Sequence, residues 1–268
     1  MTTAWTISAL HAELDPVRAE RRIGLVPTMG ALHAGHEALV RRAKAECDVV
    51  VASIFVNPAQ FGPGEDLERY PRDEVRDAAL AESWGVDQLF VPSPEEMYPE
   101  GFATWVEIEG LADELEGAVR PGHFRGVATV CLKLFNIVRP DRAYFGQKDA
   151  QQAAVLETMV RDLNLALEIR VVPTVREADG LALSSRNAYL SAEEREAAAS
   201  LPRALEAGAE AGAARAAEVA RAVLAQEPRL APDYVEVARL NGRVYLLAAA
   251  RIGSTRLIDN VVLEGDLQ

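Results

Sequence analysis

Two imidazoles, an ammonium and a guanidinium stand in polar stretches of this sequence where they could meet a polyphosphate. His33 and His36 fall in Pro27-Thr28-Met29-Gly30-Ala31-Leu32-His33-Ala34-Gly35-His36, Lys148 in Gly146-Gln147-Lys148-Asp149, and Arg186 in Leu183-Ser184-Ser185-Arg186-Asn187. The histidines are three residues apart, so in a helix beginning near Ala34 both rings lie on one side of its first turn. There they could donate to a triphosphate, and to a pyrophosphate as it departs. Gly30 and Gly35 let the backbone approach a ligand with no Cβ in the way. Free N–H groups at a helix start attract anions. Lys148 could reach the same phosphates, and Ser184, Ser185 and Arg186 suit a phosphate clamp. Each feature also has a plainer reading: surface histidines, a solvated loop lysine, a Ser or Asn helix cap in a linker. Zinc is the weaker alternative for the histidines, since no third ligand stands nearby and neither cysteine is close in sequence.

Other candidates are less marked. Gln60 and Gln152 are neutral amides able to donate to and accept from a small hydroxy acid. Pro121-Gly122-His123-Phe124-Arg125-Gly126 reads as a Gly-flanked basic loop compatible with an anionic ligand. Cys131 has no base nearby in sequence and reads as core.

The elements that must position these groups follow from hydrophobic periodicity. Apolar runs at 23–26 and 48–56 read as buried strands, and the second ends in the Pro/Gly loop Asn57-Pro58-Ala59-Gln60-Phe61-Gly62-Pro63-Gly64. Residues 5–20 are expected to open with a helix redirected at Pro16. Residues 37–44, 71–84, 126–138 and 150–163 read as helices. Further strands are expected at 88–92, 143–145 and 167–172, with an irregular segment at 92–101 and a half-exposed strand at 104–109. Strands alternating with helices indicate an α/β fold with a doubly wound parallel sheet. Its ligand belongs outside the carboxyl ends of the strands, where the stretches 28–36, 57–64 and 146–149 fall. Composition shifts near residue 190. Residues 192–226 read as two helices, and 233–237, 243–249 and 255–262 as three strands joined at Asn241-Gly242 and Gly253-Ser254, a small α+β domain.

Composition narrows the function classes. Lys and Arg number 28 against 41 Asp and Glu, a net charge of −13 that argues against nucleic acid as a partner. A local nest of donors could still bind ATP. No apolar run approaches a membrane span, the start of the chain has no signal-peptide pattern, and two isolated cysteines suit a reducing cytoplasm. The expectation is a cytoplasmic protein with free thiols at Cys47 and Cys131.

The ordered motifs are more specific than any one of them. The stretch 27–36 is followed by Phe55-Val56-Asn57-Pro58-Ala59-Gln60-Phe61, Tyr70-Pro71-Arg72, Arg120-Pro121-Gly122-His123-Phe124-Arg125-Gly126-Val127, Lys148-Asp149-Ala150-Gln151-Gln152 and Asp179-Gly180-Leu181-Ala182-Leu183-Ser184-Ser185-Arg186-Asn187. In this order they closely resemble the pantoate–β-alanine ligase family, as far as Thr255-Arg256-Leu257-Ile258-Asp259-Asn260. The resemblance implies a Rossmann-like ATP- and pantoate-binding domain, set here at 1–175, and a C-terminal α+β lid domain at 176–268, in a homodimer. It implies condensation of pantoate with β-alanine using ATP and Mg²⁺, through a pantoyl adenylate, releasing AMP and pyrophosphate. Carried over, Met29, Gly30, Ala31, Leu32, His33, Ala34, Gly35 and His36 line ATP, with His36 the proton donor. Gly146, Gln147, Lys148, Asp149, Val175, Leu183, Ser184, Ser185 and Arg186 complete the nucleotide site. His33, Lys148 and Arg186 join His36 in the chemistry. Gln60 and Gln152 bind pantoate, Gln60 also facing β-alanine, and the protein ligands of Mg²⁺ stay unassigned. The family commonly has Glu where this chain has Gln147, a position expected to act mainly through its backbone. The nearest rival is an adenylyltransferase that releases its adenylylated product. A nucleotide-binding regulatory protein that has lost its chemistry is a more distant one.

Overall fold

Short apolar runs separated by amphipathic helices build most of the chain before residue 173. A computed structural model describes residues 1–267. They cluster into two units, Met1–Phe145 with Gln151–Val172, and Gly146–Ala150 with the chain from Pro173 onward.

The first unit runs β1 (Thr2–Ala4), α1 (Ile7–Leu14), β2 (Ile23–Thr28), α2 (Ala34–Glu46), β3 (Val49–Ile54), α3 (Glu74–Ser83), β4 (Gln88–Phe90), α4 (Pro94–Met97), α5 (Glu116–Val119), α6 (His123–Val138), β5 (Arg142–Gly146), α7 (Ala150–Asp162) and β6 (Glu168–Val172). The six strands lie in the order β1-β4-β3-β2-β5-β6. The pairs β1–β4, β4–β3, β3–β2 and β2–β5 are parallel. Every residue of β3 is buried, as a parallel strand covered on both faces requires. The strand order reverses between β2 and β5, which makes that point the switch where α/β sheets bind ligands.

The second unit holds α8 (Ala192–Ala198), α9 (Ser200–Glu210), α10 (Ala216–Leu224), β7 (Ala231–Leu240), β8 (Arg243–Ile252) and β9 (Thr255–Glu264). The strands form an antiparallel sheet with β8 in the middle. Leu201, Leu205 and Leu224 from the helices share a core with Leu246, Ala248 and Ile252 of β8.

The α/β class and the three C-terminal strands agree with the sequence reading, and several details differ. α1 stops at Leu14, before Pro16, and the three-residue β1 ahead of it is too short to show a period. α4 lies within the segment expected to be irregular, its start capped by Ser93, whose Oγ accepts from Glu96 N. Residues 104–109 join no sheet. The Val106 N–H donates to Thr129 Oγ1, and the Arg125 guanidinium lies 4.5 Å from the centre of the Trp105 ring. Their alternation therefore reflects contact with α6 rather than a ladder. α6 begins at His123, so the expected basic loop is a helical first turn with His123 and Gly126 buried. Residues 192–226 hold three helices, not two. No described helix is long and apolar enough to cross a membrane.

Candidate functional site

The loop after β2 is held by side chains from three places. Thr28 Oγ1 accepts from Gly30 N, and Asp77 accepts from Ala31 N at 2.6 Å and from Leu32 N at 2.8 Å. Asp77 belongs to the first turn of α3 and is 1% exposed. A carboxylate is tolerated there because donors surround it and the positive helix end is near. Gly30 and Ala31 both take positive φ, +82° and +50°. A Cβ on Gly30 would stand 3.0 Å from Asp77 Oδ2, so glycine is required.

α2 then starts at Ala34, and its first turn is capped reciprocally by the two histidines. His33 Nδ1 accepts from Gly35 N at 3.1 Å, while His36 Nδ1 accepts from His33 N at 3.3 Å. An accepting Nδ1 puts the proton of each neutral ring on Nε2. The ring centroids are 4.1 Å apart, so the rings lie side by side as the spacing implied. The amides of Gly30, Ala31, Leu32, His33 and Gly35 donate to the protein's own acceptors, which fixes the shape of the loop.

Gln60 sits in a 3₁₀ turn, Pro58–Gln60, after β3. Its Oε1 accepts from Asn57 Nδ2 at 3.0 Å, and its Nε2 points at Met29 Sδ, 3.1 Å away. The structure thus brings Gln60 to the His33 loop. Asn57 is buried, donates also to Gly126 O, and accepts from the Tyr98 hydroxyl at 2.8 Å. Behind the turn, Arg120 Nη1 meets His123 Nε2 at 3.0 Å. A guanidinium only donates, so Nε2 accepts and Nδ1–H donates to Gln60 O at 2.9 Å. Burial, reinforced by the Arg120 charge, pushes the His123 pKa down to about 4. Arg120 is held in turn by two bonds to Glu65, at 2.8 and 2.7 Å. Gln152 is half-buried in the first turn of α7. Its neighbour Gln151 is structural, accepting from Glu116 N and donating to Leu111 O and Glu114 O.

In the second unit, Gln147–Asp149 form a 3₁₀ turn. Lys148 Nζ lies 3.8 Å from Asp149 Oδ2. Gln147 is buried, and its Nε2 donates to Asn260 Oδ1 at 3.1 Å. The Gln147 side chain thus binds within the protein, where a glutamate carboxylate has no proton to give. Val175 and Leu183 are paired, Leu183 N donating to Val175 O at 3.0 Å. Ser184 does cap a turn: its Oγ accepts from Arg186 N, at the start of the 3₁₀ helix Ser185–Tyr189. Asn187 ties this helix to Glu177 and Ala182 O. Both thiols are buried and unlinked, and burial pushes the Cys47 thiol up and the Cys131 thiol up to about 12.

A β-strand, a histidine-capped helix and an anchored amide are together specific enough to compare with known proteins. The family model for pantoate-beta-alanine ligase matches residues 2–262. The chain belongs to the pantoate–β-alanine ligase family. Among relatives of this ligase, the pantothenate synthetase of Moorella thermoacetica is 58% identical over 257 residues, covering 90% of this chain and 91% of its own. That of Chloroflexus aurantiacus is 60% identical, covering 97% and 99%. The solved pantothenate synthetase of Thermus thermophilus is 50% identical with a TM-score of 0.94, covering 99% of this chain and all of its own. The Francisella tularensis pantoate-beta-alanine ligase, solved with β,γ-ATP and β-alanine, is 37% identical with a TM-score of 0.86, covering 99% of both chains.

Sequence reasoning missed Asp77, His123 as a neutral buried donor, and Asn260. Asp77 follows the Tyr70-Pro71-Arg72 motif and carried no signal of its own. Asn260 lies in the last family motif, where nothing local ties it to chemistry.

Proposed function

We propose that this ligase joins pantoate to β-alanine through a pantoyl adenylate, with the residues carried over from the family in the roles the resemblance implies. The observation that supports this most is the histidine pair, whose Nδ1 atoms both accept from backbone amides at the helix start, which places the proton of each neutral ring on Nε2. A carboxylate is a poor acyl donor because oxide would have to leave. In the first half-reaction a pantoate carboxylate oxygen bonds the α-phosphorus of ATP. The bond from that phosphorus to the bridging oxygen breaks, and pyrophosphate leaves with the electron pair. His33, His36, Lys148 and Arg186 stabilise the charge growing on the departing group. In the second half-reaction the β-alanine amine attacks the acyl carbon, AMP leaves, and the amine gives up a proton. Gln60 and Gln152 hold pantoate through its hydroxyl and carbonyl groups.

Among the described residues no three His, Cys, Asp or Glu side chains group to hold a metal. The Mg²⁺ that the resemblance implies would be carried by the nucleotide phosphates and water, where it would add positive charge. The segment of Ser184, Ser185 and Arg186, at the start of the 3₁₀ helix, closes as a lid and keeps water from the mixed anhydride. The reading extends to a homodimer in the cytoplasm.

The test is turnover with ATP, Mg²⁺ and pantoate, with and without β-alanine. Pantothenate and AMP should accumulate only with the amine; steady release of an adenylylated product without it would favour the adenylyltransferase. In single turnover, His36→Ala and Lys148→Ala should each slow adenylate formation by roughly 10²-fold or more. A normal first half-reaction in either variant removes that residue from the phosphate site.

A further inference from the structure

Asn260 lies far along the chain from Lys148, yet it grips the turn that carries the lysine. It sits in β9 and is 1% exposed. Its Nδ2 donates to Gln147 O at 2.9 Å and to Lys148 O at 3.0 Å. Carbonyl oxygens only accept, so the amide orientation is fixed, and Oδ1 is left to accept from Gln147 Nε2. The Asn260 N–H is occupied as well, donating to Asp259 Oδ1 at 2.8 Å. Asp259 is itself held by Arg176 through bonds of 2.6 and 3.0 Å. Two consecutive carbonyls are thus locked by one side chain, which is braced by an ion pair.

We propose that Asn260 is a positioning residue for the first half-reaction, fixing the backbone of the 147–149 turn so that Lys148 is aimed before nucleotide arrives. The proposal rests on the reading of Lys148 as a phosphate-binding cation. A lysine ammonium rides on a flexible four-carbon stem, so its placement depends on how firmly its own backbone is held. A misplacement of about 1 Å can cost on the order of 10²-fold in rate. Only a side-chain amide of this length offers two donors to adjacent carbonyls and an acceptor behind them. Alanine offers none, and serine a single donor.

A double-mutant cycle in the full-length enzyme tests this, read as the single-turnover rate of adenylate formation, with KM for each substrate and the melting temperature measured alongside. Asn260→Ala is expected to slow adenylate formation by roughly ten- to a hundredfold with little change in KM for β-alanine. In the Lys148→Ala background the same change should cost no more than about twofold, because residues acting through one another are non-additive. Should Asn260→Ala fail to fold, Asn260→Ser retains one donor and enters the cycle in its place. An equal loss in both backgrounds means that Asn260 only stabilises the fold, and overturns the proposal. A Lys148→Ala enzyme with full activity overturns the lysine assignment itself, and the proposal with it. That failure is separate and visible, since the single variant is measured on its own.

Discussion

At the scale of single residues, the site depends on polar groups whose hydrogen bonds dictate their protonation. His123 shows this most clearly. It accepts from Arg120 on one nitrogen and donates to Gln60 O from the other, an arrangement only the neutral ring can make. Its pKa falls from 6.5 to about 4, first through burial and then through the Arg120 charge. The unfolded chain takes up this proton near the ordinary value, while the folded chain resists it. Stability is therefore full above about 6.5 and is lost as pH falls towards 4. Between pH 7 and pH 5 the loss from this group comes to about 2 kcal/mol, read as a lower urea midpoint. His123→Asn should flatten that dependence although it lowers stability at pH 7. An unchanged pH slope in the variant would assign the acid sensitivity elsewhere. Glu65 enters at lower pH: burial acts to raise its pKa, but the Arg120 bonds outweigh it and hold the carboxyl below its usual range.

Elements matter here through how closely they approach. α6 packs directly on the Pro58–Gln60 turn, and Gly126 is what permits it. A Cβ at that position would come within 2.2 Å of Ala59 O and 2.6 Å of Gln60 Cα. Neither is a flexible side-chain end, so the turn would have to move. Gly126→Ala is expected to destabilise the fold by about 1–3 kcal/mol, the cost of overpacking. Because the displaced backbone carries Gln60, the proposed pantoate ligand, calorimetry should show weaker pantoate binding with ATP binding little changed. Equal weakening of both ligands would mean that the effect spreads beyond the turn. The same closeness explains a difference from the sequence reading. Pro121 to Gly126 looks like a loop when scanned for glycine and charge, but its last four residues form a helix start whose small residue is selected by packing.

At the scale of the whole molecule, the segment between β6 and α8 is sparsely structured. Its regular features among the described residues are one bridge, Arg176–Ala182, and the short helix Ser185–Tyr189. If this segment closes over nucleotide as proposed, its protection from exchange should depend on that nucleotide. ATP should slow amide hydrogen exchange across residues 175–190, and Arg186→Ala should remove much of that protection, since the proposed guanidinium contact to phosphate would exist only with nucleotide bound. The variant should also make more AMP without pantothenate, as unprotected adenylate hydrolyses. Equal exchange with and without ATP would end the lid reading and leave the ligase reading intact. By itself the sequence determined the family, the alternation of strands and helices, the C-terminal hairpins and the adjacency of the His33 and His36 rings, because each is written in local periodicity or in contiguous motifs. Only the tertiary structure decided which acceptors occupy the loop amides, which tautomer His123 adopts and what holds the Lys148 turn. Asp77 reaches Leu32 across 45 positions and Asn260 reaches Lys148 across 112. Pairings between buried polar groups so far apart leave no local pattern, because a side chain's partner is set by where the folded backbone brings it and not by its neighbours in the chain.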